Sequence, residues 1–145
     1  MRGNENIAKI LGYAGLIPFV VFSIGSWISL PTVSDATSIL IAYAAVILSF
    51  MGAVHWGFIM ARSDDQYSIH LIASVIPALV AWVALLTPVM SGLALLLSGF
   101  ITLIIYDWGV DKRLGFPDWY VPMRIKLTLV VMLCLITTLM AVGLN

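Results

Sequence analysis

The chain has 145 residues, 62% of them apolar and only 10% charged, with a formal net charge of zero. Soluble domains carry about 25% charged residues, and the mean hydropathy here is +1.10, so a water-soluble globule is excluded and the surrounding solvent is lipid. The neutral balance gives no field for nucleic acid, and a single cysteine, Cys134, excludes an internal disulfide.

A bilayer core takes about 20 residues per helix, and backbone groups in hydrocarbon must pair internally. The expected fold is therefore all-α: one polytopic domain, 1–145, of five transmembrane helices in a single bundle. The spans fall at roughly 10–30, 37–61, 68–86, 91–107 and 123–143. The first lies in the 25 uncharged residues between Lys9 and Asp35 and carries an Ile-Pro pair in "GLIPFVV" (15–21). Its apolar run exceeds the roughly 7–15 residues of a secretory signal and no A-x-A site follows, so it is expected to remain as a span.

The second span lies in 26 uncharged residues before Arg62 and contains "SFMGAVHWG" (49–57). Ser49, Ala53 and Gly57 recur at helical spacing as a small-residue stripe, the usual device for close helix approach in lipid. His55 falls nearly opposite, with Gly52 opening space beside it, so a central helix with neighbours on two faces is expected. A histidine within a span is costly unless it faces the interior or a wet cavity. Two readings stay open: a proton-accepting or ligand-orienting group, or a neutral imidazole bonded across a helix contact.

The third and fourth spans share the 41 uncharged residues between Asp65 and Asp107, divided by the turn-like "TPVMSG" (87–92). The third has its own Ile-Pro pair, in "SVIPALV" (74–80), and His70 near its start. The fourth ends in "YDWGVDKR", where "DWG" (107–109) rhymes with "HWG" (55–57). Two related hairpins plus a fifth helix would explain both rhymes and make His55 and Asp107 equivalent; chance in a low-diversity apolar alphabet also would. Asp107 reads either as an interfacial carboxylate paired with Lys112, Arg113 or Arg62, or as a relay partner of His55, though nearer the membrane edge. Trp56, Trp108, Trp119 and Tyr120 fall toward one interface, and Trp27 and Trp82 toward the other, as an aromatic belt does.

The long loop "GVDKRLGFPDWYVPMRIK" (109–126) leads into the fifth span. Asp118 is a candidate cap for that helix, and Pro122 fits its first turn. The loop serves either as a set of snorkelling anchors or as a basic pocket for an anionic headgroup, with Arg124 the best-suited side chain. With five spans, all seven basic residues lie on one side of the membrane. The positive-inside rule then puts the N-terminus in the cytoplasm and the C-terminus in the periplasm, in the inner membrane. No nucleophile elbow, glycine-rich phosphate loop, paired histidines or cysteine pair is present, so no enzyme device, metal or cofactor is expected.

Taken together, "GLIPF", "LSFMGAVHWG", "SVIPALVAW" and "PDWYVPMRIKLTLVV" resemble the family of transmembrane protein 69 over nearly the whole chain. Its bacterial members form a domain family of unknown function and relatives occur in mitochondria. The resemblance implies a small multi-pass inner-membrane protein and supplies no reaction. His55, Trp56, Gly57, Trp119, Tyr120 and Arg124 sit on its motifs, whereas Trp108 stands where relatives tend to a basic residue. The leading expectation is a non-enzymatic protein that binds a membrane lipid or lipophilic small molecule, or serves as an accessory subunit. His55, Trp56, Asp107, Trp119, Tyr120 and Arg124 are its candidate ligand-binding residues. A proton-coupled carrier using His55 and Asp107 is the alternative, and a membrane enzyme acting on a lipid the third. A homo-oligomer or larger membrane complex is a further candidate partner state.

Overall fold

In a computed structural model the described residues are 2–28, 35–61 and 68–144, with side chains described throughout these except at 2–4, 68 and 111–114. They form six helices: α1 (Arg2–Ala14), α2 (Leu16–Gly25), α3 (Ala36–Met60), α4 (Ser68–Leu86), α5 (Val89–Leu114) and α6 (Tyr120–Leu144). Five segments are long and apolar enough to cross a membrane, the first of them, Glu5–Gly25, made from α1 and α2 together. The loop around Pro31 and the one carrying Arg62, Asp64 and Asp65 lie outside the described residues.

The first span is broken at Gly15 rather than continuous. Pro18 lacks an N–H and its ring crowds the preceding turn, so the helix restarts with Pro18 in the first turn of α2, where a missing donor costs little. Tyr43 from α3 donates its hydroxyl to the Gly15 carbonyl at 2.9 Å and braces the break. Pro77, by contrast, lies inside the unbroken α4. The two Ile-Pro pairs therefore do different structural work, which weakens the case for duplicated hairpins.

The helix α3 is central, packing against α2, α4 and α5. Its inward face includes Ile41, Ala45, Leu48, Gly52, His55 and Ile59, the alternating spacing of a seven-residue repeat in a packed helix seam. Gly52 and Pro77 meet there: a Cβ added at Gly52 would lie 2.6 Å from the Ser74 carbonyl oxygen and 3.1 Å from the proline ring. The expected stripe of Ser49, Ala53 and Gly57 makes no such contact; a Cβ at Gly57 would meet nothing within 4 Å. Small residues do mark the close approaches, but at Gly52 and at Gly99, which lets Leu48 nestle against α5.

The larger core cluster is built around Phe19, Leu40, Leu48, Leu96, Phe100 and Leu135, and a smaller one joins Ile59, Val110, Phe116 and Val121. Away from both, large apolar side chains point outward, among them Trp108 at 76% exposure and Leu86 at 67%. The fully buried set includes His55, Asp107 and Thr138. Polar groups inside and aliphatic groups outside is the arrangement hydrocarbon surroundings demand, since only internal partners are available to polar atoms. Between α2 and α6 the demand is met by hydroxyls: Ser23 donates to the Cys134 carbonyl at 3.0 Å and meets Thr137 and Thr138 at 2.9 and 3.2 Å.

Gly52→Ala should force α3 and α4 apart and cost about 1–3 kcal/mol, read as a lower thermal midpoint in detergent. Gly57→Ala, in open space, should stay within about 0.5 kcal/mol of wild type.

Candidate functional site

Three of the five spans bring a polar side chain to one point, at the end of the bundle that carries the N-terminus. In α3, His55 lies just over one turn before the helix end, and in α5, Asp107 lies two turns before Leu114. The fourth span thus runs beyond the expected 107, so Asp107 sits inside the bundle and level with His55 rather than at the membrane edge. Arg124 sits in the second turn of α6, facing in. "HWG" and "DWG" do match in one respect: each turns its polar residue inward and its indole outward, with open space at Gly57 and Gly109.

Asp107 is the hub. Its Oδ2 accepts Arg124 Nε at 2.9 Å and lies 2.9 Å from Arg124 Nη2. Its Oδ1 lies 2.7 Å from His55 Nε2. That approach is at ion-pair distance but misses hydrogen-bond direction, and His55 Nδ1 has no hydrogen-bond partner. Side-chain exposure is 0% for His55 and Asp107 and 4% for Arg124. A lone charge buried in a low-dielectric interior costs several kcal/mol, so neither ion could stay there alone. The pair makes each tolerable, and the fork geometry of arginine supplies two donors to one carboxylate.

The described partners of Asp107 are thus His55 and Arg124; the side chains of Lys112, Arg113 and Arg62, the partners the sequence offered, lie outside the described residues. His55 is also enclosed edge-on by Tyr106 and Phe116, at ring separations of 5.4 and 5.6 Å. Phe116 reaches that position because Gly115 takes a left-handed φ of 64°, ending α5 in the conformation glycine adopts most cheaply. Tyr106 in turn bonds through its hydroxyl to His70 Nδ1, so His70 is half-buried against α5.

A cavity of about 350 Å³ lies beside the cluster, between α1 and α2 on one side and α3 and α6 on the other. Its body is apolar, lined by residues such as Leu11, Gly12, Phe50, Met51 and Leu127. Its polar end is made by Trp119, Tyr120 and Arg124. The Tyr120 hydroxyl is buried there with no hydrogen-bond partner, and its ring lies 5.9 Å from the Arg124 guanidinium carbon. The α1 wall is tied to this end by Lys9, whose ammonium sits 5.9 Å above the Trp119 ring and 2.6 Å from Glu5. Asp118 is exposed and lies too early to cap α6, because the helix begins at Tyr120 with the Trp119 carbonyl accepting from Met123 at 3.2 Å.

Of the six candidate residues, five converge: His55, Asp107 and Arg124 as the cluster, Tyr120 and Trp119 at the cavity's end. Trp56 does not join them; it faces outward with about half of its surface exposed. Tyr106, Phe116 and Gly12 belong to no motif in the sequence. A tyrosine directly before the buried aspartate and the turn "LGFP" are the only local signals they leave.

The sequence pattern of the family described as "Protein of unknown function (DUF3429)" matches residues 4–140. The chain belongs to that DUF3429 family. Among its relatives, Transmembrane protein 69 of Xenopus tropicalis is 32% identical over 136 residues, covering 91% of this chain and 53% of that protein. Transmembrane protein 69 of Mus musculus is 30% identical over 142 residues, covering 91% and 55%. The chain therefore spans about half the length of these curated relatives. No solved structure matches. The matched DUF3429 region contains all five spans nearly whole and every residue of the His55–Asp107–Arg124 cluster.

Replacing Arg124 by Met should strand the buried carboxylate and destabilise the fold by about 3–5 kcal/mol. The double variant Asp107→Leu/Arg124→Met should regain most of that loss, because it removes both charges. Unfolding midpoints in detergent for the two single variants and the double check this coupling.

Proposed function

We propose that this chain is an integral inner-membrane protein that binds an amphiphilic lipophile without transforming it, tail in the apolar cavity and head at Tyr120 and Arg124. One observation carries the reading: a cavity of about 350 Å³ whose walls are apolar except at the end that Tyr120 and Arg124 line. Ligand sites combine such a mostly apolar lining with a few polar groups that fix orientation, and the volume falls in their usual range of roughly 300–1,000 Å³. The exposed Phe50 and the light packing of α1 give the cavity a lipid-facing side from which a tail can enter. The seven basic residues, all on the N-terminal side of a five-span topology, favour a cytoplasmic N-terminus and a C-terminus on the far face.

A second reading, a proton-coupled carrier, draws on the direct approach of His55 Nε2 to Asp107 at 2.7 Å. Such a pair can accept and pass a proton if water reaches it. Proteoliposomes carrying the protein would then acidify in a His55-dependent way under an imposed gradient.

Gly12 supplies the test of the binding reading, because a Cβ there already lies 3.0 Å from Leu127 and points into the cavity wall. Wild-type protein purified in mild detergent should retain a stoichiometric lipid, detected by mass spectrometry after extraction. Gly12→Leu should lose it while keeping the cluster intact. Equal lipid content in both proteins would overturn the proposal. A C-terminal reporter active only in the cytoplasm should stay silent.

A further inference from the structure

The charge balance of the site narrows the class of ligand, resting on the binding reading above. Arg124 does not face the cavity as a free cation. Its Nε and Nη2 are both engaged by Asp107 Oδ2, and the Asp107 carboxylate cancels its charge. The Arg124–Asp107 pair thus carries no net charge. A permanently anionic head placed at Arg124 would therefore bring an uncompensated charge into a site walled by apolar residues. Moving an ion from water into such surroundings costs several kcal/mol even after relaxation.

What the site does offer is donors. Nη1 is the guanidinium nitrogen that no described residue engages, and the Tyr120 hydroxyl is buried without a partner at the same end of the cavity. A hydroxyl orphaned in a low-dielectric site is paid for by whatever completes it. We infer that the ligand is an uncharged lipophile whose head is a hydrogen-bond acceptor, an ester or quinone carbonyl oxygen. It accepts from Tyr120 Oη and Arg124 Nη1 while its tail lies along Gly12, Met51 and Leu127. The anionic headgroup that the sequence suggests for Arg124 is replaced by a neutral one, because Asp107 has already taken the cationic charge.

The test uses the full chain in phosphatidylcholine nanodiscs with photoreactive probes that share one diazirine-bearing tail and differ only in the head. The heads are a methyl ester, a benzoquinone, a sulfonate and a plain alkane terminus. Labelling at cavity residues is divided by labelling of outward residues such as Trp108 and Leu133 in the same sample. This ratio corrects each probe for its bilayer content. The ester or the quinone should exceed the alkane by roughly tenfold, and the sulfonate should fall at least about tenfold below them. Whichever of the two carbonyl probes labels more strongly identifies the source of the carbonyl. Tyr120→Phe, which removes only an unpartnered hydroxyl, should cut the carbonyl ratio by roughly fivefold with the alkane ratio unchanged. Sulfonate labelling equal to or above the ester would overturn the neutral head and leave the binding reading standing. Alkane labelling equal to the ester would overturn the role of the two donors. If no probe labels the cavity above the outer surface, the binding reading fails and this inference with it.

Discussion

A carboxylate with no access to water dictates the architecture at one end of this bundle. Asp107 is fully buried in a protein whose surroundings are hydrocarbon, so its charge has to be answered from within the chain. The answer comes from two other helices, with Arg124 on α6 and His55 on α3. Three spans are thereby fixed in register at the same depth. Apolar packing alone specifies register weakly in lipid, where no hydrophobic force separates protein from tails. The cluster, together with the close approaches at Gly52 and Gly99, supplies the specificity that leucine and valine cannot.

That same pairing shapes the chemistry of the neighbouring cavity. Asp107 holds the guanidinium through Nε and Nη2 and neutralises it, beside the Tyr120 ring. The first span closes the void from the other side. Below its break at Gly15, braced by Tyr43, α1 places Gly12 against α6 and Lys9 over Trp119. The first span and an aspartate in the fourth thus cooperate across the bundle to make one site.

The number of helices was legible in the sequence because charge is so scarce. Gaps of 25, 26 and 41 uncharged residues, with 19 more after Lys126, admit few divisions, and five spans follow. The importance of His55, Asp107 and Arg124 was also legible, since ionisable residues inside or beside apolar runs demand a reason. Their mutual contact was not. A helix end is marked in sequence by charge, and Asp107, the first charge after the apolar run, places it near 107, whereas the helix continues to Leu114 and carries Asp107 into the interior. The small-residue stripe misled for a related reason: spacing identifies a face but not which of two faces is turned inward, and the heavier demand of His55 decided it. Trp56 follows from that choice, since it lies about 100° round the helix from His55 and on the outer side of the inward face.

Solid-state NMR of the chain in lipid bilayers tests this account most directly. Dipolar transfer between the Asp107 carboxyl carbon and the Arg124 guanidinium nitrogens reports their contact, and exchange with water reports their burial. The account predicts strong transfer between the two groups and no water cross-peak at the Asp107 carboxyl. Absent transfer, or a carboxyl in contact with water, would contradict it.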